Sequence, residues 1–191
     1  MSTQALERRE DRFPDVERAA RRLARPGARL ALVCKRLADV VLALAMIVAL
    51  APVFALVLGL LAFAGDGLAE QRLRLGRNGR AVVLWRFHPL PGGALGRVLE
   101  RAGARDLPLL FAVLRGRLSF VGPRAVPPGH AAGYTGPRRL MAPGLIGPGQ
   151  RAPEDEAASL DDAYVEGWSL WLDARLLAGR PLHHRVSKSS S

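Results

Sequence analysis

At 191 residues the chain suits one domain of ordinary size, long enough to bury a core. A single cysteine, Cys34, excludes an internal disulfide and a thiolate metal cluster, and His88, His130, His183 and His184 lack zinc-ligand spacing. The net charge of +11 is concentrated: Gln71 to Arg151 holds 14 arginines, no lysine and only two acids, Glu100 and Asp106. A basic module of this kind needs an anionic partner, and a guanidinium fork suits phosphate. Substrate phosphates, anionic lipid headgroups and nucleic acid all fit that description.

Residues 1–34 read as a basic, helix-prone N-terminal extension, either solvated or lying on a membrane as an amphipathic helix. No apolar core followed by a small-residue cleavage site marks a secretory signal. Residues 35–66 read as membrane-embedded, because Val40 to Gly65 contains no charged or strongly polar side chain. At about 1.5 Å per residue that run is long enough for a hydrocarbon core of about 30 Å. Pro52 lies in its middle, removes an amide donor and predicts a kink. Lys35 and Arg36 precede the run, and Arg72, Arg74, Arg77 and Arg80 follow it. With both flanks basic, a re-entrant hairpin with cytoplasmic ends is favoured over a straight span.

Residues 67–182 read as a cytoplasmic domain, and 183–191, ending in SKSSS, as a disordered tail. In QRLRLGRNGRAVVLWRF two short runs flank Asn-Gly, the signature of a β-hairpin. ALGRVLERAGARDLPLLFAVLRG predicts two helices broken around Gly103. LSFVGPRAVPPG predicts a short strand entering a loop, and APGLIGPGQ a second rigid loop. ASLDDAYVEGWSLWLDARLLAG predicts one closing amphipathic helix, with Trp168, Leu170, Trp171 and Leu172 placed to pack or to meet an interface. The fold class expected is α/β, mainly helical with a small sheet or hairpin, behind a kinked, re-entrant N-terminal membrane helix.

In this order the blocks resemble the bacterial sugar transferases, the monotopic polyprenyl-phosphate phosphoglycosyl transferases. The resemblance runs from Lys35 to Leu182 through Pro52, RLGRNG, WRF, LGR, VLRG, SFVGPR, APGLIG and YVEGWSLWLD. It implies a two-step reaction. A carboxylate of an Asp-Glu pair attacks the sugar-bearing phosphate of a nucleotide diphosphate sugar, and the phosphosugar then passes to undecaprenyl phosphate. That step opens exopolysaccharide or other lipid-linked glycan synthesis at the cytoplasmic face of the bacterial inner membrane. Arg124 and Arg86 are implied phosphate ligands, with Arg74 beside them, and membrane lipids are further partners. Nucleic acid is not expected; a homo-oligomer and glycan-assembly proteins stay open.

The family pattern L-G-R-x-L-R-R-x-S-x-D-E-L-P-Q-L lies without a gap on Leu95 to Leu110. It places the nucleophilic Asp on Arg105 and its Glu on Asp106. A guanidinium stays protonated and has no lone pair for phosphorus, so Asp106 is the catalytic candidate and the tentative metal ligand. The resemblance implies magnesium, but Glu100, six residues earlier, is the other carboxylate of this stretch. An active transferase and a non-catalytic relative that binds lipid phosphate or nucleotide sugar, or scaffolds a glycan-assembly complex, are the two readings carried forward.

Overall fold

The computed structural model describes residues 14–65, 67–150 and 152–179. The expected tail at 183–191 and the first thirteen residues lie outside them. Helix α1 (Pro14–Leu23) carries Asp15 and Glu17 in its first turn and Arg21 and Arg22 in its last, matching the helix dipole. It is not free of the domain: Ala19 is buried, and the Arg22 guanidinium donates to the Glu166 carbonyl.

Helix α2 (Pro26–Ala49) begins upstream of Lys35 and is followed after Leu50 by α3 (Ala51–Ala64), the two axes meeting at 61°. Pro52 sits in the first turn of α3, where its missing amide costs no helical hydrogen bond. Among the described residues no single helix is long and apolar enough to cross a membrane; the bent pair is, by length and composition together. Leu37, Val41, Leu44 and Val48 leave an apolar stripe of α2 exposed. Gly65 closes α3 in the left-handed region at φ 77°, which a glycine adopts without strain.

Strands β1 (Ala69–Leu75) and β2 (Ala81–Phe87) form the expected antiparallel hairpin. Its turn takes Asn78 at φ 58° and Gly79 at φ 71°, the geometry Asn-Gly favours. Helix α4 (Ala94–Arg101), a 3₁₀ turn at Ala104–Asp106 and helix α5 (Leu109–Leu114) follow, with the break at Gly103 as expected.

Two expectations are corrected. APGLIGPGQ is not only a loop: Gly144–Ile146 forms β4, parallel to β3 (Ser119–Val121). Three residues in a Gly- and Pro-rich stretch carry no periodicity, so only pairing reveals the strand. The closing helix is also two, α6 (Glu154–Glu166) and α7 (Leu170–Leu177). Ser169 caps α7 by accepting from the Leu172 amide at 3.2 Å, which starts a new helix there. Trp168, in the break, is buried, whereas Trp171 is 70% exposed.

The core joins the helix pair to the domain: Phe54 of α3 meets Phe87 and Phe111 edge-on, with centroids 6.1 and 5.7 Å apart. A buried polar network runs beside it. The Lys35 ammonium donates to Asp173 at 2.7 Å and to the Val121 carbonyl at 2.9 Å. Tyr164 and Trp168 donate to the same Asp173 carboxylate, at 2.6 and 3.2 Å. Asp39 accepts from the Ser119 hydroxyl at 2.7 Å and from the Phe120 amide at 3.1 Å. Residues of α2 therefore hold β3, the strand that delivers Gly122 to Arg124.

Candidate functional site

Strand alternation builds the site. In the β1–β2 register Glu70 faces Arg86, Arg72 faces Leu84 and Arg74 faces Val82, so these residues share one face of the hairpin. That face lines a cleft of about 200 Å³. Leu109, Leu118 and Leu145 supply apolar walls, and Asp106 enters from the 3₁₀ turn. The sequence candidates Arg74, Arg86 and Asp106 thus meet in one place. A larger cavity, about 570 Å³, lies among residues of α1, α2 and their neighbours and includes none of these three.

Asp106 is held by Arg86 through one hydrogen bond, an Nη donating to Oδ2 at 3.1 Å, and a close ion pair in which Nε lies 2.6 Å from Oδ1 without hydrogen-bond geometry. Arg105 and Asp106 diverge because successive side chains on a 3₁₀ turn point about 120° apart. While Asp106 enters the cleft, Arg105 donates to the Phe87 carbonyl at 3.2 Å and lies 3.5 Å from Glu70. Arg105 therefore braces the hairpin. Glu100 is occupied elsewhere, accepting from the Leu90 amide at 3.0 Å.

Glu70 is a site carboxylate that the sequence reading missed. It pairs with Arg72 at 2.8 Å, and that hydrogen bond, with Arg72, Arg105 and His88 nearby, holds its carboxyl below the usual range. Arg72 lines the cleft, and Glu70 holds it from beside the lining. Alternation along AEQRLRL was the signal available: it places Glu70, Arg72 and Arg74 on one face. Arg74 is pushed below the usual guanidinium range, first by burial and then by Arg72 and Arg124 beside it.

Arg124 lines a separate cleft of about 160 Å³ with His130, Tyr134, Arg138 and Asp161. Its amide and that of Gly149 donate to Asp161 at 2.8 and 3.1 Å. Asp161 is 2% exposed, and burial pushes its carboxyl up from 3.8 to about 6 against those two donors. The folded state then binds more protons than the unfolded one between those values. This group's contribution to stability falls as pH rises from about 4 to about 6. Asp162, raised by burial in the same direction, adds to the trend. Asp161→Asn removes the Asp161 contribution, so the variant's melting temperature measured against the wild type's should be more favourable at about pH 7 than at about pH 4.

The carboxylates here do not fit magnesium. The ion wants oxygen ligands in tight octahedral geometry. Both oxygens of Asp106 face Arg86, and Glu70 is paired to Arg72 and Arg105. Among the described residues no group of three or more His, Cys, Asp or Glu side chains could hold a metal ion.

Residues 92–183 match the family model described as bacterial sugar transferase. A UDP-glucose:undecaprenyl-phosphate glucose-1-phosphate transferase of Klebsiella pneumoniae is 23% identical over 76% of this chain and 39% of its own length. The exopolysaccharide production protein ExoY of Sinorhizobium fredii is 26% identical over 74% of this chain and 80% of its own. An undecaprenyl-phosphate galactose phosphotransferase of Salmonella typhimurium is 35% identical over 44% of this chain, but only 19% of its own length is matched.

Proposed function

The chain belongs to the bacterial sugar transferase family, and on that premise we propose that it transfers a phosphosugar from a nucleotide diphosphate sugar to a polyprenyl phosphate. The observation that carries this reading is the cleft in which Asp106 meets Arg72, Arg74 and Arg86. Two anionic substrates meeting at one site need fixed positive charge, and phosphoryl transfer depends mainly on positioning and charge stabilisation. Asp106 is assigned the covalent step. Its carboxylate oxygen bonds to the sugar-bearing phosphorus as the bond to the leaving nucleoside monophosphate breaks. A polyprenyl phosphate oxygen then attacks that phosphorus and releases the carboxylate. Arg86 exchanges the carboxylate for phosphoryl oxygens as the reaction proceeds.

The bent α2–α3 pair, with its exposed apolar stripe, supports anchoring in the cytoplasmic membrane with the domain on the cytoplasmic face. A lipid-borne acceptor requires a site at such a surface. The product belongs at the start of exopolysaccharide or related glycan synthesis, in line with the relatives' names.

Arg105, standing where the family resemblance puts the nucleophile, favours a second reading: a member that binds both substrates without turnover. A radiolabelled UDP-sugar assay with undecaprenyl phosphate in detergent separates the two. Formation of lipid-linked product, reduced at least about hundredfold by Asp106→Ala, is expected. Product that survives Asp106→Ala removes Asp106 from the covalent step. No product with any UDP-sugar, while they still bind, establishes the second reading. A gain in turnover on changing Arg105→Asp together with Asp106→Glu would show that the altered pair limits the rate.

A further inference from the structure

The family resemblance implies magnesium, yet the charges in the cleft are arranged for its absence. Arg72, Arg74 and Arg86 lie on one hairpin face around about 200 Å³ of space. Glu70 and Asp106 are the carboxylates beside them, and each is already paired with a guanidinium. Arg74 donates only to the neighbouring Leu73 carbonyl, at 3.2 Å, and has no ion pair among the described residues. Like charges crowded into a partly apolar cleft repel each other, and burial adds a desolvation cost. Those costs fall when an anion of two or more charges enters. A divalent cation, by contrast, would have to displace Arg86 from Asp106 and would meet the same positive field.

We propose that this cleft binds the diphosphate of its substrate through guanidinium groups alone, Arg72, Arg74 and Arg86 taking the place of a divalent cation. The inference rests on the transferase reading for the identity of the ligand, but it concerns binding and not turnover. Guanidinium groups suit the role because each offers a planar fork to two phosphate oxygens and keeps its charge at any working pH. The carboxylates tune the set: Glu70 orients Arg72, and Asp106 holds Arg86 until phosphate oxygens replace it.

The test is calorimetric titration of the full chain in detergent with UDP and with inorganic pyrophosphate, each in EDTA and in millimolar magnesium. Dissociation constants in the two buffers within about threefold of each other are expected. Arg74→Ala should weaken both ligands at least about tenfold in EDTA, Arg74→Lys less, and Arg101→Ala on α4 not at all. Binding that appears only with magnesium, or is more than about tenfold tighter with it, overturns the proposal and leaves the transferase reading standing. Chelator-insensitive binding without lipid-linked product would do the reverse. The comparison of buffers uses the unaltered chain, so a variant that fails to fold does not decide the outcome.

Discussion

Asp173→Ala is expected to cost about 3–5 kcal/mol of stability, the range for removing one partner of a buried ion pair. The Lys35 ammonium and the Asp173 carboxylate are 10% and 8% exposed and 2.7 Å apart. Removing the carboxylate leaves the ammonium with the Val121 carbonyl as its remaining partner, and takes the acceptor from the Trp168 indole. It also strips Tyr164 of its short bond, leaving a contact of 3.5 Å with Val121. Melting in detergent, followed by near-UV circular dichroism, should show the loss. Lys35→Met combined with Asp173→Leu should recover part of it, because a well-packed apolar pair carries no unpaired charge. A single variant that melts within about 1 °C of the wild type, far less than such a loss implies, would mean that water reaches Lys35.

Gly122→Ala should be comparably damaging, at about 3 kcal/mol, by overpacking instead of lost charge. A methyl group on Gly122 would lie 2.5 Å from the Ala142 carbonyl oxygen and 2.8 Å from the Gly144 amide nitrogen. Both are backbone atoms, so no side-chain rotation relieves the clash. The β3–β4 pair must part, and the Gly122 amide loses its 2.9 Å bond to Ile146. Gly92→Ala, where nothing lies within 4 Å of the added carbon, serves as the control and should change stability by no more than about 0.5 kcal/mol. If the two variants melt alike, the close approach of the strands is not what fixes this glycine.

Some of this was legible in the chain and some was not. The hairpin, the kink at Pro52 and the break at Gly103 rest on local chemistry: an Asn-Gly turn, a missing amide, a left-handed residue. Strand β4 and the split between α6 and α7 depend on pairing and on a cap, which periodicity does not record. At the site, Asp106, Arg86 and Arg74 were named from the family resemblance, and the fold brings the three into one cleft. Glu70 was missed because a strand acid has no motif of its own; its meaning comes from the residues across the register. Lys35 was noticed only as a basic flank of an apolar run. Lys35 finds its partner Asp173 near the far end of the chain, and Asp39 finds Ser119 beyond the hairpin, separations at which no pattern links them.

The placement of Arg72, Arg74 and Arg86 on one side of a two-stranded ribbon has a consequence for how such a chain can change. Insertion or deletion of one residue within β1 would leave the composition almost untouched. Yet every side chain beyond the edit would turn to the opposite face of the ribbon. Arg72 and Arg74 would then project away from Arg86, and Leu73 would point at the anion. Substitutions at these positions are graded in their effects, but length changes here are all-or-none. The hairpin should therefore tolerate lengthening at its Arg77–Gly79 turn and refuse it between Ala69 and Leu75.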